Sequence, residues 1–360
     1  MTFLIAAAGT GGHVFPGLSV GEALIDLGVP RVGIMFVGGD RLEATVYPRE
    51  GFEFLQVPLA GLKRSLAPEN ARIPIVVLKA RNRVAEAIDA QDIRVVLGMG
   101  GYVTVPAALA ARKQRVPFFN AEQNAEAGLA NRVTARWARE TFVSFPDTGG
   151  LPEASWVGNP VRKAFWDFER HGLRPEALDR YQLDPETPIV GVFGGSLGAL
   201  SINDAVADML ESWPGPPVQV VHLTGESHHD ALVHRTPGSG VTWRRVAFEE
   251  RMELFYAVCD FVIARAGGAV AELTATATPS ILVPGQFGSG GHQAGNARFL
   301  ETSGAAVIVE QDVLDSELGP TVIGLIEDPH RRTAMARAAG DISKPDAART
   351  IARTMIEAAE

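Results

Sequence analysis

A single cysteine, Cys259, stands in 360 residues. That excludes an intrachain disulfide and any metal cluster built from several cysteines, and it fits a reducing compartment. No apolar run is long enough to span a bilayer: the stretch Val95–Ala111 is broken by Gly98, Gly100, Gly101 and Pro106, short of the ~20 uninterrupted residues a spanning helix needs. The apolar N-terminus lacks a basic leader region and runs straight into a glycine turn, unlike a signal peptide. The dinucleotide fingerprint G-x-G-x-x-G is missing, as is the G-K-S/T of a phosphate-binding P-loop, so the usual NAD and ATP readings lose support. No Asp-x-Asp pair occurs. A carboxylate pair of that kind commonly holds a divalent ion on a sugar nucleotide, so any charged leaving group would be met by amides and cationic side chains. No cofactor and no bound metal are expected.

What is present reads as a globular α/β protein. Hydrophobic residues make up 46% and charged residues 21%, and the length favours two domains. The net charge of −9 is uneven: residues 1–140 sum to +3 and the remainder to −12. An acidic protein with a mildly basic front half argues against general nucleic-acid binding and leaves room for a local anionic partner; ordinary surface variation is the other reading. Strand-like and helix-like segments alternate: Phe3–Ala8, Val32–Val37, Phe54–Val57, Val95–Leu97, Phe118–Asn120 and Thr141–Ser144 read as strands, with helices at Val14–Leu27, Ile75–Ala90 and Val105–Arg112. The pattern breaks at Val157–Arg162 and restarts with strand Ile189–Phe193, then Val218–Leu223, Phe261–Ile263, Ser280–Val283 and Ala306–Val309, with an amphipathic helix at Ala347–Ala358. This predicts doubly wound parallel sheets in a first domain over 1–160 and a second over 161–340, with residues 341–360 returning to the first domain.

Two glycine turns follow apolar strands and precede helices: Gly9-Thr10-Gly11-Gly12-His13 and Gly194-Gly195-Ser196-Leu197-Gly198-Ala199. A strand, a glycine turn and a helix N-terminus together can cradle an anion; a tight connection is the other reading of either turn taken alone. Two such units in one chain point to two similar halves and a nucleotide-sugar enzyme. His13, at a helix N-terminus, is a candidate base or a capping residue. Glu122-Gln123-Asn124 follows a strand, where parallel sheets place ligand-binding side chains; a turn with solvated side chains is the other reading. Arg265–Glu272 follows another strand, and Glu272, about one helical turn in, could accept both hydroxyls of a ribose. After the glycine-rich Gly285–Gly291 come the polar side chains His292, Gln293 and Asn296.

Taken together, G-T-G-G-H-V-F-P-G at 9–17, G-M-G-G-Y at 98–102, Glu122–Asn124 with Gly128–Asn131, G-N-P-V-R at 158–162, G-G-S-L-G-A at 194–199, Arg265–Glu272 and H-Q-A-G-N-A at 292–297 resemble the MurG family. These are the peptidoglycan N-acetylglucosaminyltransferases that convert lipid I to lipid II. The matches span nearly the whole chain. The resemblance implies a GT-B fold of two Rossmann-like domains with an interdomain cleft. It also implies inverting, metal-independent transfer from UDP-N-acetylglucosamine to the C4 hydroxyl of the muramyl sugar on undecaprenyl pyrophosphate. Carried over by position, Arg162, Ser196, Phe248, Glu249, Gly268, Ala269, Glu272, His292 and Gln293 form the donor site. In it Ser196 meets the pyrophosphate, Glu272 the ribose, the backbone at Phe248 and Glu249 the uracil, and His292 and Gln293 the sugar. Thr10, Gly11, Gly12, Tyr102 and Asn124 line the acceptor side, with His13 as the first choice for general base and Glu122 the second. Ala121 stands where some members carry histidine, and His292-Gln293 where some carry two glutamines.

The resemblance also implies the cytoplasmic face of the plasma membrane, peripheral attachment, and other cell-wall synthesis proteins as partners. Lys63, Arg64, Ile75–Leu78, Lys79, Arg81 and Arg83 combine apolar and basic residues; they can lie on anionic lipid or form an ordinary buried face with a solvated basic side. Other GT-B readings are a glycolipid glycosyltransferase or an epimerase of UDP-N-acetylglucosamine. A non-catalytic UDP-sugar-binding protein is the alternative from another class.

Overall fold

Among the described residues thirteen strands form two sheets, and every strand pair within them is parallel. The structure, a computed structural model, describes residues 1–59, 73–151, 153–195, 198–285 and 291–360. Two compact units divide the chain: Met1–Lys163 with Pro345–Glu360, and Ala164–Lys344.

The first unit holds β1 (Thr2–Ala6), β2 (Ile34–Gly38), β3 (Glu53–Gln56), β4 (Ile93–Gly98), β5 (Phe118–Glu122), β6 (Glu140–Val143) and β7 (Ser155–Trp156), in the order β3-β2-β1-β4-β5-β6-β7. The central strands are near-continuous apolar runs because helices cover both faces; β2 is buried along its whole length. Register pairs Phe3 with Ile34 on one side of β1 and Ile5 with Leu97 on the other. Leu4, Val37, Val84, Ile88 and Val96 meet in the core below. Helix Ile73–Ala90 turns Ala80, Val84, Ala85 and Ile88 inward. The last helix, Ala347–Ala359, buries Ile351, Ala352 and Met355 and lies against helix Gly11–Asp26 and β4. Asp26 ties this join together, taking Lys163 at 3.1 Å and Arg349 at 3.4 Å.

The second unit holds β8 (Ile189–Phe193), β9 (Val218–Leu223), β10 (Val241–Val246), β11 (Phe261–Ala264), β12 (Ser280–Leu282) and β13 (Ala306–Ile308), in the order β10-β9-β8-β11-β12-β13. Its core gathers Val192, Ile202, Val206, Leu210, Ile263 and Leu325. In each unit the winding reverses beside the first strand, between β1 and β4 and between β8 and β11. The crevice at the carboxyl ends of such strands is where open α/β sheets bind ligands.

Three elements depart from the periodicity. Val241–Val246 is a strand although Arg244 and Arg245 interrupt its apolar pattern. Arg245 lies over the Trp243 ring at 4.5 Å and donates to the carbonyl oxygens of Leu232 and Arg235. Helices Leu314–Glu327 and Pro329–Asp341 follow each other with one residue between them. Pro329 sits in the first turn, where its missing N–H costs nothing, and the Asp328 carboxylate caps the Arg331 amide at 2.8 Å. His292–Thr302 is helix from the first polar residue onward, not loop.

Candidate active site

In the first unit, β1 runs into the turn at Gly9 and on into helix Gly11–Asp26, placing His13 in that helix's opening turn. Thr10 takes the capping position, and its carbonyl accepts from the amides of His13 and Val14 at 3.0 and 3.1 Å. Thr10 Oγ1 stands 3.4 Å from His13 Nδ1. The turn is held from behind by the short helix Glu43–Arg49. Glu43, buried, accepts the Gly9 amide at 3.1 Å and the Gly39 amide at 2.9 Å. One turn on, the buried Tyr47 hydroxyl donates to the Val14 carbonyl at 3.2 Å. The Gly9 amide therefore points inward. An anion at this turn is left the first-turn amides beginning at Gly11 and Gly12.

The neighbouring strand β4 ends in Gly98-Met99-Gly100-Gly101. Gly100 and Gly101 have φ of +89° and +74°, a region that side chains other than glycine rarely enter. The His13 ring lies against this turn: a Cβ at Gly100 would stand 2.9 Å from His13 Cδ2 and 3.0 Å from Nε2. Tyr102 follows, half-exposed at 52%.

Next in the sheet, β5 ends at Glu122, which is buried. Its carboxylate accepts four hydrogen bonds. Oε1 takes the amide and the side-chain Nδ2 of Asn124, each at 3.0 Å; Oε2 takes the Gly128 amide at 3.0 Å and Asn131 Nδ2 at 2.7 Å. Asn131 Nδ2 also reaches the Ala121 carbonyl at 3.0 Å, and its own backbone carbonyl accepts from Asn120 Nδ2 at 3.0 Å. A carboxylate so filled with donors organises the loop after β5. Thr10, Gly11, Gly12, His13, Tyr102, Glu122 and Asn124 thus all lie at the ends of three adjacent strands of one sheet. Arg162 belongs to the same unit, half-buried beyond β7, whereas the other residues assigned to the donor lie in the second unit.

The second unit repeats the device. Gly194 and Gly195 follow β8, and Gly198 leads into helix Leu200–Glu211; Ser196 and Leu197 lie outside the described residues. Gly198 has φ +76°, and a Cβ there would fall 2.3 Å from the Thr224 carbonyl oxygen. Across the switch point, Arg265 follows β11. It donates from Nη2 to Ser201 Oγ at 2.6 Å and from Nη1 to the Val283 carbonyl at 3.1 Å, so it joins three of the loops. Burial pulls its guanidinium below its ordinary range. Gly268 and Ala269 open helix Ala269–Ala275, and Glu272 stands in its first turn, half-buried, accepting the Tyr256 hydroxyl at 2.9 Å. Gly291, at φ +71°, opens helix His292–Thr302. Gln293 Oε1 accepts the Gly285 amide at 2.7 Å, and Asn296 Nδ2 donates to the Ala266 carbonyl at 3.0 Å. His292 Nδ1 is buried with no hydrogen-bond partner among the described residues.

Phe248 is half-exposed, and Glu249 beside it is buried. The Glu249 carboxylate takes both nitrogens of an Arg180 fork at 2.9 Å, the Tyr181 hydroxyl at 2.8 Å and the Arg251 amide at 2.8 Å. Burial alone would raise its carboxyl; the arginine with the other two donors outweighs that and holds it below the usual carboxylate range. This side chain builds the loop, and the exposed Phe248 and the backbone are what the loop can offer a ligand. Among the described residues no group of three His, Cys, Asp or Glu side chains could hold a metal ion.

Motif reading did not find Glu43, Asn131, Arg265 or Tyr256 as members of these networks. Asn131 and Arg265 sit inside recognisable stretches, but only the tertiary contacts give them roles. Glu43 and Tyr256 reach the site from helices that carry no local signal.

Two parallel-sheet units, each with a glycine turn at its switch point, give the chain the GT-B fold, and its family matches place it among the glycosyltransferases. The glycosyltransferase family 28 N-terminal domain matches residues 3–143 and the family 28 C-terminal domain residues 189–351; the chain belongs to this family, in its MurG branch. A relative from Mycolicibacterium paratuberculosis, a UDP-N-acetylglucosamine--N-acetylmuramyl-(pentapeptide) pyrophosphoryl-undecaprenol N-acetylglucosamine transferase, is 37% identical over 99% of this chain and 88% of its own length. One of the same name from Streptomyces coelicolor is 35% identical over 96% of this chain and 95% of its own. The crystal structure of Acinetobacter baumannii MurG matches with a TM-score of 0.80 and 25% identity, covering 99% of this chain and all of that one. A UDP-GlcNAc 2-epimerase from Neisseria meningitidis shares the fold alone, with a TM-score of 0.68 and 13% identity over 99% of this chain and 100% of that one.

Proposed function

We propose that the chain transfers N-acetylglucosamine from UDP-N-acetylglucosamine to the C4 hydroxyl of the muramyl sugar of lipid I, making lipid II for peptidoglycan. The observation that carries this is similarity over essentially the whole chain to transferases whose name states that donor and acceptor. The residues at both switch points fit it. The acceptor oxygen attacks the anomeric carbon, the bond from that carbon to UDP breaks, and the configuration inverts. His13 takes the hydroxyl proton. Glu122 is a positioning residue that shapes the loop carrying Asn124 and Asn131, because its four acceptor positions are filled. Gly11, Gly12 and Thr10 receive the acceptor pyrophosphate, with Tyr102 beside them.

On the donor side, Ser196 with the amides of its turn and of Gly268 and Ala269 meets the departing diphosphate, and Arg162 adds a positive charge. Oriented amides stabilise developing charge without a metal. Glu272 takes the ribose hydroxyls, Phe248 and the Glu249 backbone the uracil, and His292 and Gln293 the sugar. The first unit is the acceptor and membrane-side domain, and the second binds the donor.

Peripheral binding at the cytoplasmic face of the plasma membrane belongs to the same reading. No described helix is long and apolar enough to cross a membrane. Helix Ile73–Ala90 exposes Ile75 and Leu78 together with Lys79 and Arg83, a mix that suits an anionic lipid surface. Lys63 and Arg64 lie outside the described residues.

The test is transfer of labelled N-acetylglucosamine to a lipid I analogue, with and without excess chelator. Transfer in chelator supports the reading. Activity lost in chelator and restored by magnesium overturns the metal-free step. Conversion of the sugar nucleotide without lipid, or binding without turnover, overturns the transferase assignment.

A further inference from the structure

On the reading that Glu272 meets the ribose, the residue that aims its carboxylate lies behind the site. Tyr256 lies in helix Met252–Val258 and is completely buried. Its ring is walled edge-on by Phe165 at 5.6 Å, Phe193 at 6.1 Å and Phe255 at 5.5 Å. Aromatic contacts of this kind leave the ring little freedom. The hydroxyl is its one polar atom, and it donates to Glu272 Oε2 at 2.9 Å.

The two helices are also fixed to each other. Arg170, largely buried, donates to the carbonyls of Tyr256 and Cys259 at the end of one helix. It donates as well to the carbonyl of Thr276 at 3.0 Å and to Thr278 Oγ1 at 2.6 Å, just past the other. A guanidinium at two helix C-termini complements both dipoles and sets their spacing. The phenol, the carboxylate and the helices that carry them thus form one braced unit behind the site.

We propose that Tyr256 is a positioning residue for ribose recognition. Its hydroxyl fixes the plane of the Glu272 carboxylate, so that the carboxylate meets a ribose diol without first being ordered. A glutamate at the start of a short, half-exposed helix has rotamers to lose; a bond to a locked phenol removes that cost before the ligand arrives. The consequence is selectivity for a ribonucleotide over a deoxyribonucleotide, set by a residue that does not touch the ligand.

The experiment measures calorimetric binding of UDP and of 2′,3′-dideoxyuridine diphosphate, which lacks both hydroxyls, to the full chain and to Y256F and E272A. The wild type is expected to prefer UDP by about 10-fold or more, the scale of one hydrogen bond to a charged group. E272A should lose that preference. Y256F should reduce it to about 2–3-fold while binding the dideoxy ligand as the wild type does. Full preference in Y256F with none in E272A overturns the proposal and leaves the ribose reading standing. Equal weakening of both ligands in Y256F also overturns it, since that is loosening of the fold. Preference intact in E272A removes the ribose reading itself, and the proposal with it. Should Y256F not fold, Y256M serves: it removes the hydroxyl, leaves Glu272 at full length and keeps an apolar side chain in the ring's place. The same loss of preference is expected, and its retention refutes the proposal.

Discussion

Glu122→Gln separates a base from an organiser, because it changes one carboxylate oxygen into an NH2 and leaves the shape alone. In the wild type each oxygen faces two donors: the amide and side chain of Asn124 on one side, the Gly128 amide and Asn131 Nδ2 on the other. Whichever way the new amide turns, its NH2 meets donors. If it faces Gly128 and Asn131, a backbone amide and a buried side chain both lose their acceptor. If it faces Asn124, that side chain can rotate and present its oxygen, but its backbone amide is left unmet. The cheaper orientation costs at least one charge-assisted bond plus one unsatisfied N–H, about 2–4 kcal/mol. Urea unfolding of E122Q, read beside its turnover, checks this. The expected outcome is a lower midpoint together with reduced kcat. A residue whose only task were proton transfer would give normal stability and turnover lower by about 10²-fold or more; that combination would refute the organising role.

His13→Ala should cut kcat by about 10²–10⁴-fold while UDP affinity in calorimetry stays unchanged; near-normal turnover removes His13 from the mechanism. His222 supplies a pH dependence. The side chain is wholly buried, with Nε2 3.0 Å from Asn203 Oδ1, and burial, helped by Arg245 and His229, pushes it down to about 3. The unfolded chain takes up a proton below about pH 6.5 that the folded chain refuses. Stability is therefore full above that pH and is lost as pH falls toward 3, by about 2 kcal/mol at pH 5. Denaturant titrations at pH 7.5 and 5 should show H222Q losing that much less than the wild type, and equal losses would show the ring charges freely in the fold. On the membrane side, K79Q with R83Q should weaken binding to anionic vesicles by about 30-fold at low salt, at about 1 kcal/mol for each charge removed; vesicle co-sedimentation indifferent to both changes and to salt argues for an ordinary solvated face.

The parts of this molecule that were legible in its sequence are those written locally. A buried strand, a glycine turn and a helix start lie within about fifteen residues of each other, so β1 with its turn and β8 with its turn could be read directly, and the parallel alternation followed. The carboxylates were the harder problem, because identity and position alone do not say what a carboxylate faces. Glu122 at the end of β5 looks like a ligand-binding group in the sequence, while Glu249 beside Phe248 enters only by resemblance and through its backbone. In the fold one is filled by Asn124, Gly128 and Asn131 and the other by Arg180, Tyr181 and Arg251. Glu43, 34 residues from Gly9 along the chain, carries no local signal and holds the first turn from behind. Glu43 and Glu122, at the first sheet's switch point, share a physical reason. If each switch point receives a diphosphate, an unneutralised carboxylate beside it repels the ligand, whereas one saturated by amides or arginine can shape the loop at little electrostatic cost. Glu272, braced by Tyr256 and half-buried at a helix start, is the exception, and its assigned partner is a neutral diol. On the proposed reading the proton of the acceptor hydroxyl falls to His13, whose ring lies against the glycine turn after β4 at the first switch point.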